Sequence, residues 1–192
     1  GVAIADFTND GWPDIYVAND TTANFLFVNQ EGKGFTESAL RLGVALSGEG
    51  AMQASMGVAA ADYDQSGTVD ICLTHFTGES NTLYQNSGEL GFTDVSGLTG
   101  IHQATLNRLG FGIVMQDFDA NGTMEMVWLT ESGGLHPVGS YTSNWIVYEP
   151  GPARYVCTTL VSVYCAPSPI SHSNASGLPV LLFTVVTPAA VQ

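Results

Sequence analysis

Gly1-Val-Ala-Ile-Ala-Asp6-Phe-Thr-Asn-Asp10-Gly11-Trp-Pro-Asp14 recurs as Gly57-Val-Ala-Ala-Ala-Asp62-Tyr-Asp64-Gln-Ser66-Gly67-Thr-Val-Asp70, and again as Gly112-Ile-Val-Met-Gln-Asp117-Phe-Asp119-Ala-Asn121-Gly122-Thr-Met-Glu125. The offsets are 57 − 1 = 56 and 112 − 57 = 55. A second block keeps the same phase: Asn24-Phe-Leu-Phe-Val-Asn29 matches Asn81-Thr-Leu-Tyr-Gln-Asn86, and Gly34-Phe35-Thr36-Glu37 matches Gly91-Phe92-Thr93-Asp94. A period of this length decides the fold class, because each unit must bury its apolar faces against its neighbours. Within a unit the apolar runs are short (Val2 to Ala5, Ile15 to Ala18, Phe25 to Val28) and are punctuated by Gly, Asn, Asp and Thr, which is strand patterning without helical periodicity. The expected class is all-β: propeller-type blades, two complete and a third begun, over residues 1–130, with units starting near 1, 57 and 112 and an irregular C-terminal tail.

The tail departs in composition. Past residue 130 Asp and Lys are absent, and seven of the eight prolines (137, 150, 152, 167, 169, 179 and 188) fall there. Residues 131–192 are therefore left unassigned as a Pro/Ser/Val-rich stretch. Two readings stay open, a poorly structured extension and a shifted reading frame that replaced the native continuation. Because the chain opens on Gly1 inside a strand-like run, it is expected to be an internal piece of a longer protein, with any signal peptide upstream.

Charge narrows the partners. The chain of 192 residues carries 4 Lys+Arg against 18 Asp+Glu, a net charge of -14. No basic stripe exists to neutralise phosphates, which excludes nucleic acid and anionic membrane surfaces. The longest apolar stretches, such as Leu178 to Phe183, fall far short of the ~20 residues of a spanning helix. Three cysteines, Cys72, Cys157 and Cys165, form neither an even disulfide framework nor a zinc-type spacing.

Nine of the 18 acidic residues lie in the three nine-residue loops of the repeat. Oxygen donors stand at loop positions 1, 3, 5 and 9: Asp6, Thr8, Asp10 and Asp14; Asp62, Asp64, Ser66 and Asp70; Asp117, Asp119, Asn121 and Glu125. Glycine at position 6 permits a sharp turn, and position 7 (Trp12, Thr68, Thr123) would add a main-chain carbonyl. Converging carboxylates with no His or Cys suit a hard cation, and Ca²⁺ tolerates such a set better than Mg²⁺, which demands strict octahedral geometry. An EF-hand is excluded because position 12 falls on Val17, Leu73 and Trp128, inside strand-like runs, where a bidentate Glu is needed. The competing explanation is ordinary turn chemistry, since Asp, Asn and Gly favour turns anyway. Three loops in phase with one repeat weigh against it.

The loops and their Gly-Val-x-x-x-Asp lead-in resemble the FG-GAP or VCBS repeats of integrin-α-type β-propellers. Gly11-Trp-Pro-Asp-Ile-Tyr-Val-Ala-Asn-Asp-Thr-Thr-Ala-Asn24 and Thr74-His-Phe-Thr-Gly-Glu-Ser-Asn-Thr-Leu-Tyr-Gln-Asn86 are similar, more narrowly, to the cartilage-acidic-protein-like family that pairs these repeats with an ASPIC/UnbV domain. The resemblance covers about residues 1–130. It implies a non-catalytic calcium-binding scaffold, secreted, periplasmic or on the cell surface, with a protein or glycan partner. This chain departs from the family at Thr8 and Ser66, where Asp or Asn is favoured, and at Trp128-Leu-Thr-Glu-Ser-Gly-Gly134, where an Asn-Gly-His-like turn is expected. No ASPIC/UnbV domain is discernible in the tail.

No catalytic residues are expected. His75 reads as an edge or turn residue, His102, His136 and His172 stand in unrelated contexts, and no Gly-x-Ser-x-Gly elbow occurs. Carboxylates committed to a cation are poor proton donors, so a glycosidase or lyase made from these loops is disfavoured. The alternative kept open is a non-catalytic propeller of a secreted carbohydrate-active enzyme. Cys72 reads as a small core residue, and Phe7, Tyr63 and Phe118 as packing beneath the hairpins. Asn19, Asn121 and Asn174 head glycosylation sequons that matter only in a eukaryotic source.

Overall fold

The computed structural model describes residues 1–106, 108–117, 120, 122–131, 143–148 and 156–157. The strand signals fold as antiparallel meanders. The first sheet is β1 (Val2–Ala5), β2 (Asp14–Val17), β3 (Phe25–Asn29) and β4 (Phe35–Glu37), hydrogen-bonded in chain order. The second repeats it one period later as β5 (Ser55–Ala61), β6 (Asp70–His75), β7 (Thr82–Asn86) and β8 (Phe92–Asp94). The third is β9 (Gly110–Gln116), β10 (Glu125–Glu131), β11 (Ser143–Tyr148) and β12 (Val156–Cys157). The chain is all-β in class, with propeller-type blades.

Two features differ from the sequence expectation. The third sheet does not end at β10, because β11 and β12 lie past residue 131 and extend it to four strands, Trp128 pairing with Ile146 and Val147 with Cys157. Asn144-Trp-Ile-Val-Tyr148 has the aromatic and β-branched composition of a strand, a local signal masked by the composition change around it. Leu178 to Val186, read as a lone strand or apolar tail, lies outside the described residues. Short helices also join the sheets: α1 (Ala39–Leu42) after β4, and α2 (Ser96–Thr99) and α3 (Ile101–Thr105) after β8. Helices of four or five residues are too short to show a 3.6-residue period.

The core lies between sheets. Because side chains alternate across a strand, each sheet has two faces. Tyr16, Ala18, Leu26 and Val28 of the first sheet pack against Ile71, Leu73 and Tyr84 of the second. Ala59, Cys72 and Leu83 on the other face of the second sheet pack against Met115, Met126 and Trp128 of the third. All six residues of β6 are buried, since both faces of its sheet are covered. The first strand of the second sheet, β5, packs against β1 on one side and β9 on the other. Gly57 permits that approach: a Cβ there would lie 2.1 Å from the Phe111 carbonyl oxygen.

His75 is not an edge residue. It ends β6 fully buried, its Nε2 3.0 Å from Thr82 Oγ1, and burial depresses its pKa to about 4. Polar residues at a strand end read as surface in a sequence, but here α3 and the chain before β5 cover that end; the Asn81 amide donates to Thr105 Oγ1, and Phe76 N donates to the Ala54 carbonyl. Cys72 is a buried core thiol whose pKa burial pushes above the ordinary range. Phe7 is buried against Tyr16 and Phe92, and Tyr63 packs on the second core, while Phe118 lies outside the described residues.

Candidate metal centre

Each acidic loop joins the first and second strands of its sheet. In all three the backbone turns left-handed twice, at position 4 (Asn9 φ 57°, Gln65 φ 60°, Ala120 φ 59°) and at position 6 (Gly11 φ 89°, Gly67 φ 88°, Gly122 φ 92°). The glycine requirement was legible; the second reversal, on Asn, Gln or Ala, was not. The turn directs amides onto the position-1 carboxylate. Asp6 accepts from Asp10 N and Gly11 N at 3.0 and 2.7 Å, Asp62 from Ser66 N and Gly67 N at 2.9 and 2.8 Å, and Asp117 from Gly122 N at 2.9 Å.

Position 9 is held from two sides. Asp14 Oδ2 accepts from Phe7 N and Thr8 N, and its Oδ1 from Asn29 N at 2.8 Å. Asp70 repeats the arrangement with Tyr63 N at 2.9 Å and Asn86 N at 2.7 Å. Asn29 and Asn86, which end β3 and β7, thus fix the first strand residue after each loop. Their side-chain amides also donate to the loop backbone, Asn29 to the Pro13 carbonyl and Asn86 to that of Val69. Asn86 further donates to the Phe7 carbonyl of the first loop, and Gln65 Nε2 donates to the Gly122 carbonyl of the third, so the three loops are linked in a row. The sequence singled out neither role, although the recurrence of Asn at 29 and 86 was the available signal.

In the second loop the carboxylates of Asp62, Asp64 and Asp70 converge, each offering an oxygen within 4.8 Å of the others. It is the one such acidic group among the described residues. Burial raises Asp70 to about 6, and the neighbouring Asp64 and Asp62 charges push it the same way. Burial acts to raise Asp64 too, but hydrogen bonds from Gln85 and Ser66 outweigh it and hold that carboxyl below its ordinary value. Ser66 Oγ lies 2.8 Å from Thr68 Oγ1, whose hydroxyl donates to the Asn86 carbonyl. Every donor is oxygen, and a carboxylate oxygen that accepts one amide keeps a second lone pair, so the set fits a hard dication.

The first loop is different. Thr8 stands where Asp64 stands, and its Oγ1 donates to Asp14 Oδ2 at 3.2 Å. Asp10 is exposed and caps Trp12 N at 2.9 Å, and Trp12 itself is part-exposed. In the third loop Asp117, Thr123 and buried Glu125 are described, whereas Asp119 and Asn121 lie outside the described residues.

A family model for the FG-GAP-like repeat matches residues 6–73, from the first acidic loop through β6. Over this span the chain is similar to the FG-GAP-like repeat. Cartilage acidic protein 1 of Xenopus tropicalis is 31% identical over 98 residues, covering 50% of this chain and 14% of that relative. The Mus musculus protein of the same name is 32% identical over 98 residues, with 50% and 15% covered. The chain thus spans about one seventh of the length of the curated relatives it matches. The match takes in the first two loops, each the hairpin between the first two strands of its sheet, and the described carboxylate cluster belongs to the second.

Among the described residues, no helix is long and apolar enough to cross a membrane. Ser80 Oγ and His102 Nδ1 lie 2.9 Å apart beside α3, remote in the fold from the acidic loops. The Asn19 side chain donates to the Ala23 carbonyl at 2.8 Å, so its sequon is tied into the β2–β3 turn.

Proposed function

We propose that this chain is a non-catalytic calcium-binding scaffold that acts outside the cytoplasm, secreted, periplasmic or at the cell surface, in interaction or adhesion with a protein or glycan partner. The observation that carries the calcium reading is the convergence of Asp62, Asp64 and Asp70 within 4.8 Å. Three carboxylates at that spacing repel one another, and a dication offsets the repulsion. The residues that would hold it are Asp62, Asp64, Ser66 and Asp70, with the Thr68 carbonyl. The first loop supplies Asp6, Thr8, Asp10, Asp14 and the Trp12 carbonyl, and the third Asp117, Asp119, Asn121, Glu125 and the Thr123 carbonyl. The extracellular placement and the adhesive role rest on the family resemblance.

The ion is structural. If each site has the ~10⁻⁴ to 10⁻³ M dissociation constant of extracellular modules, calcium at one to ten times that value adds about 0.4 to 1.4 kcal/mol per site. Calorimetric titration of the chain with calcium, beside melting with and without chelator, tests this. Uptake of calcium and a chelator-lowered Tm are expected, with Asp62→Ala or Asp117→Ala removing most of the response of its own loop and Thr8→Ala or Ser66→Ala removing less. No uptake together with an unchanged Tm would leave the loops as ordinary acidic turns.

A further inference from the structure

One buried side chain joins the second acidic loop to the first. Asn86 ends β7; its backbone amide holds Asp70 Oδ1 at 2.7 Å, and its Nδ2 reaches out of the second sheet to the Phe7 carbonyl at 2.9 Å. Asn86, Phe7, Asp14 and Asp70 are all buried, so solvent has little access to these bonds. Asn29 is the same residue one repeat earlier, yet among the described residues its side chain bonds only within its own sheet, to the Pro13 carbonyl and from Gly32 N. Gln65 Nε2 also crosses between loops, to the Gly122 carbonyl, but from an exposed side chain.

The group that Asn86 reaches is one end of a planar peptide unit. Its other end is Thr8 N, which donates to Asp14 Oδ2 at 3.1 Å. A peptide whose carbonyl accepts a bond is fixed in orientation and becomes a stronger donor at its N–H. Asn29 N holds the second oxygen of Asp14 at 2.8 Å, so that carboxylate is oriented from both sheets. The position-9 carboxylates of neighbouring loops are therefore joined by a short run: Asp70, Asn86, the Phe7–Thr8 peptide, Asp14.

We infer that Asn86 couples calcium binding in the second loop to calcium binding in the first, an inference that rests on the calcium reading above. Once an ion fixes Asp70, the Asn86 amide and side chain are held, the Phe7–Thr8 peptide keeps its orientation, and Asp14 is already ordered for the first loop. Ordering at one site that the other also needs gives positive coupling. Coupling is reciprocal, so filling the first loop tightens the second by the same factor. Charge alone has the opposite sign, because a dication in one loop repels one approaching the next, and salt screens that repulsion beyond about 8 Å at physiological ionic strength. The hydrogen-bonded run is buried, and salt leaves it intact.

Titration of the chain with calcium alone, followed by amide NMR, is the test. Gly11 N and Gly67 N each donate to the position-1 carboxylate of their own loop and so report the two sites separately. Asp64→Ala disables the second loop and Asp10→Ala the first, both at exposed side chains. Asp64→Ala is expected to weaken calcium binding read at Gly11 at least about fivefold, and Asp10→Ala to weaken that read at Gly67 by the same factor, at low and high salt alike. Asn86→Ala abolishes both cross-effects, whereas Asn29→Ala leaves both in place; circular dichroism confirms that each variant is folded. One arm needs no change at Asn86: in Asp10→Ala, calcium entering the second loop still moves the Thr8 amide resonance, although Thr8 lies in the disabled loop. Four results would overturn the inference and leave the calcium reading standing: dissociation constants at the two glycines that ignore each other, a negative coupling that salt abolishes, a coupling that survives Asn86→Ala, or a Thr8 resonance that stays still in Asp10→Ala while Gly67 responds. No response to calcium at either glycine would overturn both.

Discussion

Replacing Asn86 by alanine should cost more than replacing its repeat partner Asn29, and the difference measures one bond between sheets. The Asn86 side chain makes three hydrogen bonds: its Nδ2 donates to the Phe7 and Val69 carbonyls at 2.9 Å each, and its Oδ1 accepts from Gly88 N at 3.0 Å. The Asn29 side chain makes two, to the Pro13 carbonyl at 3.0 Å and from Gly32 N at 2.8 Å. Both backbone amides keep their aspartate partners in the variants. With about 1 kcal/mol net per bond and a further penalty where a buried group is left unpaired, Asn86→Ala is expected to cost about 3 kcal/mol and Asn29→Ala about 2 kcal/mol. The excess of about 1 kcal/mol belongs to the bond into the first loop. Urea denaturation followed by circular dichroism, in chelator so that ion binding does not contribute, reads both values, and equal m values would show that the denatured ensembles match. Should Asn29→Ala prove as costly as Asn86→Ala, the link between loops would carry no stabilising weight.

Buried His75 makes stability depend on pH. Its folded pKa of about 4 lies below the ordinary value of 6.5, so the unfolded chain binds more protons between these values and stability falls as pH drops through that window. Asp70, raised to about 6, acts in the opposite sense, gaining stability as pH falls through its own window. Comparing His75→Gln with the parent cancels the Asp70 contribution, and the stability difference should shrink on the acid side; a pH-independent difference would refute a neutral buried imidazole. Gly67→Ala should cost about 1 to 2 kcal/mol from its left-handed backbone alone, since φ is 88° and nothing lies within 4 Å of the added carbon. Thermal melts showing no loss would mean the loop relaxes to a conformation open to any residue.

The repeat made the sheets and loops legible. Recurrence at 56 and 55 residues placed Gly11, Gly67 and Gly122 on equivalent turns before any strand was assigned, and the short apolar runs Val2 to Ala5 and Phe25 to Val28 anticipated β1 and β3 to within a residue. What escaped reading has a common physical cause, dependence on contacts from outside the unit. His75 looks like a turn residue until α3 and the segment before β5 close over it. The close approach at Gly57 requires knowing that Phe111 belongs to the neighbouring strand. Asn29 and Asn86 look like turn-formers at strand ends, and only the register shows them supporting the position-9 aspartates. Within the candidate site, all three second-loop carboxylates were named in advance, whereas the different character of the first loop follows from Thr8 bonding to Asp14.

The complete burial of β6 bears on how fast a bound ion could leave. Amide exchange in Ile71 to Leu73 requires opening of both flanking cores, so these hydrogens should be among the slowest in the chain. Asp70 opens that strand and therefore rests on an anchor that hardly breathes, while Asp62 and Asp64 ride on a loop held by amide bonds at the surface. For an ion held as proposed, escape would be a matter of the loop peeling away from a stationary base, and its residence time would report the lifetime of the Ser66 and Gly67 amide bonds to Asp62 rather than the unfolding rate of the blade.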